Sequence, residues 1–311
     1  MTTARLAAVD VGTNSTRLLV ADVAGGAIVA THAREMVITR LGRGVDRAGR
    51  FDPDALARTL AVLAEYAETC RRLQVTRRRV VATSATRDAA DRRAFLDGVR
   101  DLLGVDAEVL TGEAEAALTY RGATADLSGE EPTLVVDIGG GSTELILGDG
   151  ASARAMVSLD IGCVRLFERH LRSDPPAAAE VVALRADVAA HLDGVAAVVD
   201  PAAADRVVGV AGTVTTVTAL ALGLGSYDPR RIHRSTIAAA DVAATADKLA
   251  AVTVAERAAM PVMARGREDV IAAGALLLDE LVQRFQIREV IASEADILDG
   301  ALLGLAEGAD G

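Results

Sequence analysis

Two stretches of this chain are near copies of each other. Ala8-Val9-Asp10-Val11-Gly12-Thr13-Asn14-Ser15-Thr16-Arg17-Leu18-Leu19-Val20 aligns with Val135-Val136-Asp137-Ile138-Gly139-Gly140-Gly141-Ser142-Thr143-Glu144-Leu145-Ile146-Leu147 at one offset, 137 minus 10, or 127 residues. In each, an apolar strand ends in Asp, a turn of small residues follows, and a second apolar strand closes at Asp22 or Asp149. Both copies read as β-hairpins. A repeat of this kind predicts two lobes built on one plan, and 311 residues suit two lobes better than one core or three.

The turn of such a hairpin has chemistry to offer. Glycine lets the backbone approach an anion closely, successive N–H groups form a concave nest, and hydroxyls add donors. The Asp at the strand end can hold a metal or a water. A glycine-rich turn alone is often only a turn, but two matching copies facing each other across a dyad would grip a phosphate chain from both sides.

Composition narrows the class. Half the chain is apolar and only 2% aromatic, so the interior is aliphatic, which favours α/β layers. A net charge of -11 argues against general nucleic-acid or anionic-membrane binding, which need a broad basic field. Lys248 is the sole lysine, so the positive charge is nearly all arginine. Two cysteines make no disulfide framework and the N-terminus lacks a secretion pattern, so a cytoplasmic protein is expected. The uncharged run 207–225 reaches membrane-spanning length, yet its threonines and glycines favour strand, turn and buried helix.

Strand-like 28–38 is followed by a basic glycine loop at 40–44 and a helix from Pro53 to about 72. Strand 79–83, helix 88–103, strand 107–110 and a helix from Glu113 to about 122 complete the first lobe. The polar segment 126–132 marks the boundary, giving lobes 1–125 and 126–311, with the final helix from Asp296 able to pack back on the first. The second lobe continues with strand 155–159, helices 161–170 and 177–199, strand 206–210, helices 241–251 and 268–284, and strand 289–292. At 209–216 a strand turns directly into a helix whose free N–H groups suit phosphate.

These motifs resemble the exopolyphosphatase and guanosine-pentaphosphate phosphohydrolase family, within the superfamily of acetate and sugar kinases, actin and the heat-shock ATPases. The resemblance runs from Ala7 to the C-terminus. It rests on the two hairpins, Ala82-Thr83-Ser84-Ala85-Thr86-Arg87-Asp88-Ala89, Leu110-Thr111-Gly112-Glu113-Ala114-Glu115-Ala116 and Ala211-Gly212-Thr213-Val214-Thr215-Thr216. It implies an α/β fold of two ribonuclease-H-like lobes related by a pseudo-dyad, with a cleft between them.

The same resemblance implies that Glu115, not Glu113, is the catalytic base; dipole complementarity in a first helical turn is the bland alternative. It assigns Asp137 and Glu144 to Mg²⁺, alternatively Mn²⁺, or to its water shell, with Asp10 beside them. Thr13, Asn14, Ser15, Thr16, Gly139, Gly140, Gly141 and Ser142 would donate to phosphate. Arg17 and Arg87 would neutralise its charge, and Gly212 with Thr213 would bind further along. Arg40, Arg43, Arg231, His233, Arg234, Arg265 and Arg267 either extend that track or form a solvated face.

The expected reaction is release of orthophosphate from the end of inorganic polyphosphate, with short chains favoured because the sequence stops soon after the second lobe. Guanosine pentaphosphate is the rival substrate, an acetate-kinase-like phosphotransferase the rival enzyme, and a non-catalytic alarmone sensor or filament protein the rival class. A homodimer is expected. Cys163 and Arg169 have cysteine-phosphatase spacing, but no glycine lies between them to form a phosphate loop, and Lys248 has no Walker loop around it.

Overall fold

The computed structural model describes residues 3–307. It forms two compact units, one from the residues up to Ala125 together with the segment from Asp296, the other Asp126–Ala295.

The first unit is a five-stranded sheet of β1 (Ala4–Val11), β2 (Ser15–Ala24), β3 (Ala27–Ile38), β4 (Arg77–Ala82) and β5 (Ala107–Val109), in the order β3-β2-β1-β4-β5. The first hairpin is β1 and β2, antiparallel, with Asp10 opposite Arg17; β4 joins β1 in parallel and β5 joins β4. Both faces are covered, which explains why Leu6, Ala7, Ala8 and Val9 of β1 are all apolar without alternation. Ala7, Val9 and Val11 pack with Leu63, Tyr66 and Phe95, from helices Pro53–Arg72 and Arg93–Leu103. The alternate residues Leu6 and Ala8 pack with Leu298, Ala301 and Leu302 of the final helix, Ile297–Glu307.

That helix joins the first unit because two glycines permit it. A Cβ on Gly122 would collide with the Asp296 carbonyl, and one on Gly300 with the Leu118 carbonyl. Helix ends are also secured from the sheet: Arg5, Arg78 and Arg77 donate to the carbonyls of Leu73, Leu103 and Leu305 at 3.2, 3.1 and 2.6 Å.

The second unit repeats the plan. Strands β6 (Thr133–Ile138), β7 (Thr143–Asp149), β8 (Ser152–Leu159), β9 (Arg206–Val210), β10 (Thr236–Ala238) and β11 (Glu289–Ala292) lie in the order β10-β11-β9-β6-β7-β8. Again an antiparallel meander is followed by parallel strands, β9 beside β6 and β11 beside β9, with β10 an antiparallel edge. Helix Ile271–Arg284 lies at the centre of the main apolar cluster. The run 207–225 is β9 leading into helix Ala211–Ala221, and among the described residues no helix is long and apolar enough to cross a membrane.

Several boundaries differ from the sequence expectation. The helix expected at 88–103 starts only at Arg93, running Arg93–Leu103, and a separate short helix, Ser84–Asp88, precedes it. Between them Ala90 donates its N–H to the Gly49 carbonyl, and Asp91 accepts from Phe51 N–H, so tertiary bonds interrupt the helix. The helix expected at 177–199 runs Ala178–Leu192 and stops before Gly194, whose φ of 82° is left-handed. The three-residue edge strand β10 and the helical turn Pro229–Ile232 were too short to register as periodic patterns.

Candidate active site

Strand parity decides which way each residue of the first hairpin faces. Asp10 and Arg17 lie on the face carrying Ala8 and Leu19, which packs against the final helix; Thr16 lies on the other. Arg17 gives Asp10 Oδ2 two hydrogen bonds, 2.9 Å from Nε and 2.7 Å from Nη2, and its Nη1 pairs with Asp296. Asp10 is 3% exposed, its other oxygen, Oδ1, has no hydrogen-bond partner, and burial raises its pKa against the pull of Arg17.

The turn is braced from behind. The carbonyls of Thr13 and Asn14 accept from Gly42, Thr39 and Arg40 N–H at 2.9, 3.1 and 2.9 Å. The Thr13 hydroxyl bonds Ser84 at 2.7 Å and that of Thr16 bonds Thr39 at 2.9 Å. With its carbonyls so held, the turn has the N–H groups of Thr13 and Asn14 left over, without a protein acceptor among the described residues. Ser15 opens β2 beside them. Thr16 is fully buried, so its hydroxyl braces the hairpin and does not face outward.

Glu115 lies in the first turn of helix Gly112–Thr124, which Thr111 caps by accepting from Ala114 N–H at 3.2 Å. Its carboxylate is 3.1 Å from Arg87 Nη1, which also donates to the Leu110 carbonyl at 2.8 Å. Glu115 is 7% exposed, whereas Glu113 faces solvent, its pKa lowered by hydrogen bonds to its own backbone and to Thr111.

In the second hairpin Asp137 stands opposite Glu144, the position matching Arg17. Both are buried, and Ser158 donates to Glu144 at 2.7 Å. The turn carbonyls are again committed. Gly139 O accepts from Cys163 N–H, Gly140 O from Val164 and Arg165 N–H, and Gly141 O from Arg165 Nε at 2.9 Å. The N–H groups of Gly140, Gly141 and Ser142 meet no protein acceptor among the described residues. Gly162 matters here, since a Cβ would fall 2.5 Å from the Gly140 carbonyl.

Gly212 and Thr213 begin the helix after β9, with Ala211 at a left-handed φ of 65°. Arg267, expected in a basic track or on a solvated face, is instead 8% exposed and donates to Gly212 O at 3.1 Å and Thr216 Oγ1 at 2.8 Å. Its guanidinium occupies the space a Gly212 side chain would need. His233 and Arg234 are tied to Asp126, while Arg43, Arg231 and Arg265 are exposed.

The donors present fit a hydrated divalent cation. Among the described residues no three His, Cys, Asp or Glu side chains stand together as a metal cage. What each unit offers is sparse carboxylate: the unpartnered Asp10 oxygen in one, the Asp137 and Glu144 pair in the other. Sequence reasoning missed the part played by Asp296. An Asp before an apolar run signals a helix cap, and nothing in the sequence links that cap to a hairpin near the N-terminus.

Two units of this topology, each with an Asp-ended hairpin and an anion-ready turn, define a phosphate-handling protein of the actin-like superfamily. The chain belongs to the Ppx/GppA phosphatase family, whose model matches residues 19–308. It is 45% identical over 320 aligned positions to Exopolyphosphatase 2 of Mycobacterium tuberculosis, covering 98% of this chain and all of that one. A crystal structure of an exopolyphosphatase-like protein superposes with a TM-score of 0.94 at 37% identity, covering 98% of this chain and 100% of the other. A 39% match to the guanosine-5'-triphosphate,3'-diphosphate pyrophosphatase of Vibrio atlanticus spans 53% of this chain and 33% of that protein.

Proposed function

We propose that this protein is an exopolyphosphatase that releases orthophosphate from the end of inorganic polyphosphate, with Glu115 as general base. The observation carrying the chemistry is the buried Glu115 carboxylate, held at a helix start by Arg87. The full-length similarity to a protein named exopolyphosphatase supports the substrate.

Glu115 takes a proton from water as that water attacks the terminal phosphorus, and the P–O bond to the chain breaks. The leaving group is itself a phosphate anion, so no strong general acid is required. The free N–H groups of the two turns, with Ser142, Gly212 and Thr213, bind the phosphates, and Arg87 offsets their charge. Asp137, Glu144 and Asp10 would hold Mg²⁺ or Mn²⁺, which would neutralise charge on the bound anion. The partial match to the Vibrio protein favours guanosine pentaphosphate as the second substrate to try.

Phosphate release from polyphosphates of defined length and from guanosine pentaphosphate, with Mg²⁺ and with chelator, tests the reading. Glu115→Gln should lose at least about a hundredfold in kcat. Wild-type rates in that variant would sink the assignment. We further read the protein as a cytoplasmic homodimer, a reading that sedimentation at micromolar concentration checks for its oligomeric part.

A further inference from the structure

Arg17 stands between two buried carboxylates. Two of its nitrogens hold Asp10 Oδ2, and a third pairs with Asp296, 279 residues away in sequence and 4% exposed. Asp296 is fixed in turn: its Oδ1 accepts the Leu298 N–H at 3.0 Å, capping the final helix, and its own N–H donates to Asp299 at 3.0 Å. Asp299 pairs with Arg34 at 2.5 Å.

Counted over these five side chains, two guanidiniums face three carboxyl groups, a formal excess of one negative charge. Such a balance repels phosphate and favours a cation or a polarised water. One atom of the cluster points that way, the buried Asp10 Oδ1 without a partner.

We infer that Asp296 is a positioning residue: acting through Arg17, it fixes the Asp10 carboxylate so that Oδ1 is what this hairpin presents, and Arg17 is a strut and not a phosphate ligand. The inference rests on the reading of Asp10 as a carboxylate on the cation side of the reaction.

The test uses the full chain with Asp296→Asn, whose one carboxamide oxygen can keep the Leu298 N–H cap while its NH2, a donor only, accepts nothing from Arg17. Arg17→Lys, away from the cap, serves as a second variant should the first be unstable. Mn²⁺ binding followed by electron paramagnetic resonance should weaken about tenfold to a hundredfold in both. In phosphate release, kcat should fall at fixed Mn²⁺ and recover with added metal, while KM for polyphosphate changes less than about twofold. A merely structural role would lower the melting temperature and leave the metal titration unmoved. A raised KM with unchanged Mn²⁺ affinity would make Arg17 a phosphate ligand and overturn the inference, as would wild-type behaviour in both variants or a wild-type protein that binds no Mn²⁺. Wild type that binds Mn²⁺ but releases no phosphate from polyphosphate would remove the proposed substrate while the metal titration still decides the role of Asp296.

Discussion

Arg87 reaches the Glu115 carboxylate at 3.1 Å with the same nitrogen that donates to the Leu110 carbonyl at 2.8 Å. The backbone bond sets where the guanidinium lies, and the guanidinium sets where the base lies. Removing it leaves a carboxylate 7% exposed without that partner. Arg87→Ala should therefore cost about 1–3 kcal/mol of stability and lower kcat more than tenfold, read by urea unfolding and by steady-state phosphate release. Arg87→Lys should recover part of the activity, since a single charge without the fork holds the base less well.

Gly212→Ala tests the close fit of Arg267. The new methyl would displace the guanidinium from Gly212 O and Thr216, an overpacking expected to cost about 1–3 kcal/mol. Chemical denaturation measures the loss, and a higher KM for polyphosphate should accompany it if this helix start binds the anion.

Ala211 tests strain at the same place. Its φ of 65° is left-handed, which costs an L-residue about 1–2 kcal/mol and glycine nothing comparable. Ala211→Gly should raise the urea midpoint slightly despite the added chain entropy of glycine. A lower midpoint would show that the site carries no strain.

The Asp22 carboxyl is held down to about 2 from its ordinary 3.8, first by hydrogen bonding with Arg5 and then with His32. A carboxyl depressed in the folded state stabilises the fold above its unfolded value, and that contribution disappears as pH falls from about 4 to about 2. Asp22→Asn should lower the melting temperature by no more than a few degrees at neutral pH, and its curve should converge on wild type as pH falls through that window.

Much of this was legible in the sequence because it is periodic or local. The repeat located both hairpins and the Asp residues, which lie one position before the ends of their first strands. The helix expected from Glu113 put Glu115 in its first turn, and the structure starts that helix one residue earlier, at Gly112. What the sequence could not display were partnerships across long separations. Nothing near Arg17 announces Asp296, nothing near Gly212 announces Arg267, and the break at Ala90 depends on a carbonyl at Gly49. Arg17, Arg234 and Arg267, which look available for phosphate in the sequence, are in the folded chain already engaged with Asp10, Asp126 and Gly212.

The docking of the final helix on β1 reverses the usual order of assembly on a ribosome. Residues 126–295 are contiguous and can close their core as they emerge. The first unit is interrupted: Leu6, Ala8 and Leu19 wait for Leu298, Ala301 and Leu302. The N-terminal half of the protein is therefore the last to be finished, and until then its sheet carries one bare apolar face that a nascent-chain chaperone or a C-terminal truncation would reveal.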